Sequence, residues 1–494
     1  MRRITRQLPA TLAVLACSYI APAQAAALED FSAQLDLPGI GSITDVAAYP
    51  PGPMEGKVLV LAGQIYRFQA DGTLDPTFGH RGVVQVGISD KTLAIDAAGR
   101  ALVGGFTLTP SSSLAIIARL KPSGRLDRSF ADEGLWRGHY DGGVEDIDID
   151  TSGPVTRILA MVGDDFDGSA WVYRFEEDGS LDSNFDGNGR TRYPQPGNDD
   201  GWAHRSCCIA AQDDGKVVLG IEGSEGSPLK RFEVARLDET GDLDGDFGNG
   251  GSSVFSVGNP AHDSVPYDLA LHESGPGAGK VVIVGQTGPP TDERQMAIAQ
   301  LTSDGELDGG FGNEGALAID VRPRADFARA VGIDQDGRVL VAGTGGSGVP
   351  EQYLGLLLRF SDGGLDPSFG NGGVSSMPNG PDLPIALDFD PYGPVVAGGK
   401  TIRWFGARVD TIPPETWIDA GPRNGAVIRR RRARFEFSSN DPRAYLHCRV
   451  DGIRDPYCDS PVVLRRLAHG SHRFSVRAVG DPTPAKRRFE VRAR

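Results

Sequence analysis

Seven aspartates recur in comparable segments of this chain: Asp45, Asp90, Asp141, Asp200, Asp263, Asp326 and Asp382, each ahead of a short apolar run. Carboxylates gathered around one opening focus a negative potential that draws in a cation or a basic peptide. Three of the segments add further groups, in Arg137-Gly-His139-Tyr140-Asp141, Asp199-Asp200-Gly-Trp202-Ala-His204-Arg205 and His262-Asp263. Histidine beside aspartate can exchange protons with a substrate or ligate a metal. The candidate ligand-binding set is therefore Asp90, Asp141, Asp200, His204, His262, Asp263, Asp326 and Asp382. The plainer alternative is that each Asp caps its loop and starts a strand. No Gly-x-Ser-x-Gly elbow points to a nucleophile, and no His-x-x-x-His or Cys-x-x-Cys pair points to zinc.

The elements that must position these groups are repeated. Six phrases share Leu-Asp-x-x-Phe: Asp71-Gly-Thr-Leu-Asp75-Pro-Thr-Phe78, Ser123-Gly-Arg-Leu-Asp127-Arg-Ser-Phe130, Asp178-Gly-Ser-Leu-Asp182-Ser-Asn-Phe185, Thr240-Gly-Asp-Leu-Asp244-Gly-Asp-Phe247, Asp304-Gly-Glu-Leu-Asp308-Gly-Gly-Phe311 and Asp362-Gly-Gly-Leu-Asp366-Pro-Ser-Phe369. Their spacing of roughly 52 to 64 residues is that of stacked supersecondary units. Within a unit, short apolar runs alternate with Asp-Gly turns, as antiparallel strands joined by hairpins do. A carboxylate three residues before a buried Phe suits an Asx turn better than a cation site. One copy, Asp182-Ser-Asn184-Phe-Asp186-Gly187, resembles the first half of a calcium loop, but Tyr193 stands where the closing Glu belongs. Calcium is thus the one cofactor the chain suggests; no other is expected.

A Val-x-Val-x-Gly strand recurs, with variation, seven times, ending at Gly63, Gly105, Gly163, Gly220, Gly285, Gly343 and Gly399. The last of these has no Phe phrase after it, while Leu35-Asp-Leu-Pro-Gly-Ile-Gly-Ser-Ile near the start looks like a degenerate unit end. An N-terminal strand completing the final sheet would remove the exposed edges. The expected fold is all-β: a seven-bladed β-propeller closed in that way. The phrases resemble the delta-60 repeat, a bacterial propeller family with the pattern Arg-x-x-x-Asp-Gly-x-Leu-Asp-x-x-Phe-Gly-x-x-Gly. Arg67, Arg119, Arg174, Arg236 and Arg359 match its first position and Gln300 departs from it. The resemblance covers residues 35 to 410 and implies a secreted or surface-associated protein, with no shared activity.

The first residues, Met-Arg-Arg-Ile-Thr-Arg, the apolar run from Leu8 to Ala16 and the exit Ala23-Gln-Ala25 have the layout of a secretory signal over residues 1–25. Acylation at Cys17, as in a lipoprotein, is the alternative reading. No other stretch approaches the apolar length of a membrane span. Residues 26–410 hold about 29 Lys and Arg against about 57 Asp and Glu, and residues 411–494 about 18 against about 9. An acidic body argues against nucleic acid as a partner.

The basic segment, 411–494, opens on Pro413-Pro-Glu-Thr and continues in alternating strands. It resembles bacterial Ig-like β-sandwich modules through Phe435-x-Phe-Ser-Ser-Asn-Asp-Pro442, Cys448-x-Val-Asp-Gly452, Cys458-x-Ser-Pro461 and Gly470-x-His472-x-Phe-Ser-Val-Arg-Ala478. Such modules are spacers or adhesion units. An exported compartment permits a Cys448–Cys458 disulfide, whose loop of about 11 residues is worth roughly 2.8 kcal/mol. Cys207 and Cys208 are expected as separate thiols or packing groups, because side chains alternate along a strand; a strained vicinal disulfide is the alternative.

These readings converge on a monomeric, exported protein, secreted, periplasmic or at the cell surface. It would bind an extracellular glycan, basic peptide or protein, or act as a scaffold. The competing expectation is a hydrolase or lyase for polysaccharide or peptide, working from Asp141, His139, Asp200, His204, His262 and Asp263.

Overall fold

The computed structural model describes residues 31–492 except 37–41, 51, 110–112, 165–168, 194–205, 224–228, 274, 290–292, 323–324, 347–352, 362, 378–383, 391–392, 399–400, 406–415, 440–445, 452, 456–457, 459 and 479–484. Asp200, His204 and Asp382 lie outside the described residues. The fold is all-β. Each Val-rich run forms the second strand of an antiparallel sheet whose first strand precedes it. Four sheets begin with Asp45–Ala48, Ser206–Ala211, Asp263–Leu271 and Asp326–Ile333. A seven-stranded sheet runs from Ser89–Ile95 to Arg190–Tyr193, because the single strand Leu135–Asp150 ends one unit and begins the next. In the last sheet, Phe31–Asp36 pairs antiparallel with Thr401–Phe405, beside Gly393–Gly398 and Pro384–Asp390.

The first strands pack in a circuit. Asp45–Ala48 touches Ser89–Ile95, which touches the second half of Leu135–Asp150; contact then passes through Ser206–Ala211, Asp263–Leu271, Asp326–Ile333 and Pro384–Asp390 back to Asp45–Ala48. The second strands behind this wall are covered on both faces, which is why they are apolar almost throughout: every residue of Val58–Leu61, Val281–Gly288 and Val339–Gly346 is buried. The apolar cores lie between neighbouring sheets. Leu159, Met161 and Val172 of one pack on Ile209, Leu219 and Ile221 of the next.

The repeated phrase fastens one sheet to the next. Arg174 Nε donates to Asp182 Oδ2 at 2.8 Å while its guanidinium lies 4.6 Å from the Phe185 ring centre. The same Arg donates from Nη1 to the Glu239 carbonyl of the following unit at 2.7 Å. Arg236 repeats this with Asp244, Phe247 and the Ser303 carbonyl, and Arg67 and Arg119 repeat it with the Pro122 and Glu177 carbonyls. The other oxygen of each Asp accepts from the residue two further on, as an Asx turn requires: Thr77 at 2.9 Å on Asp75 and Asn184 at 2.9 Å on Asp182. The residue after Phe then donates across the boundary, Asp186 N to Thr240 O at 2.6 Å and Gly248 N to Asp304 O at 2.7 Å.

The glycine of the Asp-Gly turn is needed twice over. Gly305 has φ +84° and sits against the previous unit's Phe, where a Cβ would come within 2.9 Å of the Phe247 ring. In the unit without Arg, Gln300 Nε2 takes the guanidinium's place and donates to Asp308 Oδ2 at 2.7 Å, while Lys280 Nζ donates to the same oxygen at 2.7 Å, as Lys57 and Lys216 do on Asp75 and Asp244.

The C-terminal residues form two further sheets. Thr416–Ala420, Arg432–Ser439 and Val462–Arg465 make one. The other joins Ala426–Ile428, Ala485–Val491, Gly470–Ala478, Leu446–Val450 and Ile453–Asp455. They share one core, in which Phe435 stacks on Phe474 at 4.1 Å and the Cys448–Cys458 disulfide is buried.

Replacing Asp182 by Ala takes the acceptor from both Arg157 and Arg174 and strands a buried guanidinium. We expect a loss of about 3–5 kcal/mol. Asp308→Ala, which faces a neutral Gln and a partly exposed Lys, should cost clearly less. Urea midpoints of the two variants test the order; equal losses would contradict it.

Candidate functional site

The first strand of each unit in the circuit, including the second half of Leu135–Asp150, forms an inner edge facing the central channel, with one row of backbone N–H groups lacking a strand partner. In six units among the described residues a β-bulge interrupts this strand. Lys91, Glu145, Cys207, Tyr267, Arg329 and Ile385 are the extra residues, and in the first unit Thr44 and Asp45 both face Leu61. The residue after the bulge is Asp45, Thr92, Asp146, Cys208, Asp268, Ala330 or Ala386 in chain order.

Three of these are aspartates, in alternate units, and each stitches its own strand to the next. Asp45 Oδ1 accepts from Val46 N and Oδ2 from Leu93 N, both at 2.7 Å. Asp146 accepts from Ile147 N at 2.8 Å and Ile209 N at 2.9 Å, and Asp268 from Leu269 N at 2.9 Å and Val331 N at 2.8 Å. Two residues further along, Asp148 accepts from Ile149 N and Ala211 N, and Asp388 from Phe389 N and Ala48 N, which joins the last unit to the first. Thr92 Oγ1 donates to Asp146 Oδ1 at 3.2 Å. Five carboxylates thus satisfy edge donors that would otherwise face the channel unpaired.

Burial pushes four of these carboxyl groups up, against the pull of their backbone hydrogen bonds, and charges of neighbouring acids add to it. Asp45 rises to about 8, Asp146 to about 7 and Asp148 to about 6, and Asp268 stands well above the carboxylate range. The count of acids therefore overstates the channel's negative charge near neutral pH. The clamps behave oppositely: at Asp75 burial is outweighed by hydrogen bonds from Lys57 and Thr77 and the charge of Arg67, holding it at about 2.

The acids singled out from sequence do not share one level. Asp45 follows the bulge, whereas Asp90 stands two residues before Thr92, Asp326 four before Ala330, and Asp141 and Asp263 five before Asp146 and Asp268. The backbones of Asp90 and Asp141 pair with Gly105 and Leu114. Asp263 Oδ1 accepts from Lys230 N at 3.0 Å and lines a separate cavity of about 100 Å³ with Lys230 and Arg294. Asp326 is fully buried, accepts from Val321 N and Arg322 N, and is pushed by burial up to about 6. The His262 carbonyl accepts from Arg231 at 3.0 Å. Asp182, in the calcium-like loop, is committed to Arg157, Arg174 and Asn184. Among the described residues, no group of three or more His, Cys, Asp or Glu is arranged to hold a metal ion.

Cys207 and Cys208 are bonded to each other, contrary to the expectation of separate groups. The bulge is the reason. Ser206 faces Ile221 and Cys208 faces Gly220, so Cys207 is an inserted residue and side-chain alternation breaks there. Gly220 makes the room, since a Cβ on it would lie 2.4 Å from Cys208 Sγ and 2.8 Å from Cys207 Sγ.

The bulges also supply the channel's variable side chains. Thr44, Lys91, Glu145, Cys207, Tyr267 and Arg329 line a cavity of about 450 Å³ together with the five carboxylates. Lys91 pairs with Glu145, and the Arg329 guanidinium lies 4.5 Å from the Tyr267 ring centre and 4.8 Å from that of Phe327. Sequence reasoning found Asp45 but missed Asp146, Asp148, Asp268 and Asp388. The available signal was an Asp followed directly by an apolar residue inside a first strand, as in Asp146-Ile-Asp-Ile149.

A family model described as a domain of unknown function (DUF5122) beta-propeller matches residues 59–78, a span that holds Arg67, Asp75 and Phe78 of the first clamp. Similar solved structures include the Dos1 propeller, 8% identical with a TM-score of 0.43 over 74% of this chain and 77% of that one. Drosophila semaphorin 2a is 7% identical with a TM-score of 0.44 over 93% and 98%. The polysaccharide lyase Uly1 is 11% identical with a TM-score of 0.42 over 75% and 90%. No curated protein matches the sequence. None of these likenesses carries an activity across.

A carboxyl raised by folding adds stability that is complete below its unfolded pKa, near 4, and is lost as pH rises through its folded value. For Asp45 that window runs from about 4 to about 8. Asp45→Asn, which cannot ionise, should flatten the decline of Tm between pH 5 and pH 8. An unchanged slope would show that Asp45 is ionised throughout.

Proposed function

We propose that this chain is an exported, non-enzymatic binding or scaffold protein. In this reading residues 1–25 are a leader, and residues 26–410 form a seven-bladed propeller of delta-60-type repeats closed by its N-terminal strand. Residues 411–494 are an Ig-like module that spaces or attaches it. One observation carries the reading: the channel-wall carboxylates are spent on backbone N–H groups of two adjacent strands, so the acids that could do chemistry are fastening the wall instead. A closed, preorganised wall lined by variable side chains is suited to recognition. Two disulfides and the leader pattern support an oxidising, extracellular or periplasmic destination. No helix among the described residues is long and apolar enough to cross a membrane. Calcium remains a proposed structural ligand, and the protein is taken as a monomer.

The test is a thermal-shift screen of the protein lacking residues 1–25 against calcium, EDTA, neutral glycans and basic peptides, since a ligand of the folded state raises Tm. We expect a shift that is lost when Lys91 and Tyr267 are both replaced by Ala. Release of new reducing ends or peptide termini, abolished by Asp263→Asn, would instead establish the hydrolase or lyase.

A further inference from the structure

Two cations line the channel cavity at bulge positions, and they are treated differently. Lys91 is neutralised by Glu145 across the neighbouring unit. Arg329 has no hydrogen-bond or ion-pair partner among the described residues, although it stands in a wall rich in carboxylates. The reason is on the same strands: Asp268, in the adjoining unit, has already given both oxygens to Leu269 N and Val331 N. Arg329 is held instead by the rings of Tyr267 and Phe327. Ring contacts use the faces of a guanidinium and leave its N–H fork unspent.

We propose that this cavity binds a small ligand through a carboxylate, received by the N–H fork of Arg329. The inference rests on the binding reading of the channel and names the ligand's recognised group. A planar guanidinium fork receives a planar carboxylate through two parallel hydrogen bonds. The neighbouring surfaces suit the remainder of such a ligand: Tyr267 offers a ring and Cys207 the face of a disulfide. About 450 Å³ is room for a sugar acid or for the last residues of a peptide. The high carboxyl pKa values of the wall lessen the repulsion an anion would meet.

Calorimetry and thermal shift with galacturonate, its methyl ester, and the peptide Gly-Gly-Phe with a free or an amidated C-terminus decide the matter. The expected result is binding of one or both free carboxylates, at least tenfold weaker binding of the ester or amide, and a similar loss in Arg329→Met. Arg329→Gln serves if the Met variant is unstable, and Arg329→Lys should restore little. Binding of galacturonate alone identifies a sugar acid, and binding of the peptide alone a chain end; either supports the proposal. Carboxylate binding unchanged by the Arg329 variants, or sulfate bound as tightly, overturns it. If neutral glycans or basic peptides bind and no carboxylate does, this inference falls while the binding reading stands. If nothing binds, both fall.

Discussion

The clamp made by Asp, Arg and Phe is the interaction on which the rest of the structure depends. Each phrase acts in two directions. Its Phe and Arg reach forward to the next unit, while its Asp-Gly turn receives the Phe of the unit behind. In four units the Arg and Asp are nearly as buried as the Phe beside them. An isolated ion pair of that kind would barely repay its desolvation. Here the remaining donors and lone pairs are taken up by carbonyls and Asx-turn N–H groups, so the charges are fully satisfied and their geometry is fixed. Neighbouring sheets thereby acquire a set distance and angle, and the inner strands are brought close enough for carboxylates to bridge them.

Much of this could be read from the chain because the clamp is local. Phe follows Asp by three residues, Arg precedes it by eight in most units, and the turn glycine lies between, so the whole device falls within one short stretch. That an N-terminal strand pairs with the last sheet was legible for a similar reason, as a count of units lacking their ends, but the strand is Phe31–Asp36 and overlaps only the first two residues of the segment singled out, Leu35 to Ile43. The channel was harder. Its level is set by bulges, and a bulge leaves no mark in composition; it displaced the acids selected from sequence by up to five residues from one another and joined two cysteines that alternation would separate. Asp146, Asp268 and Asp388 look like ordinary strand-edge residues until their partners in the next unit are seen.

The overall charge of −16 likewise says little about the channel. Carboxylates in the clamps stay ionised beside cations, whereas those in the channel wall are driven toward the neutral form by burial and by each other. One residue type thus serves as a counter-ion in one layer and as a hydrogen-bonding strut in another. What distinguishes the two roles is whether Arg or backbone N–H stands opposite.

Closure by the N-terminal strand has a consequence for the order of synthesis. Residues 31–36 are made early, yet their partner strand, 401–405, follows roughly 370 residues later, a separation whose entropic cost grows only logarithmically. The difficulty lies in time rather than energy. Until the final strand emerges, the growing circle has two raw ends, each able to recruit a stranger's strand. A chain that crosses a membrane unfolded before it closes would meet this interval on the far side, where its first strand must wait for its last.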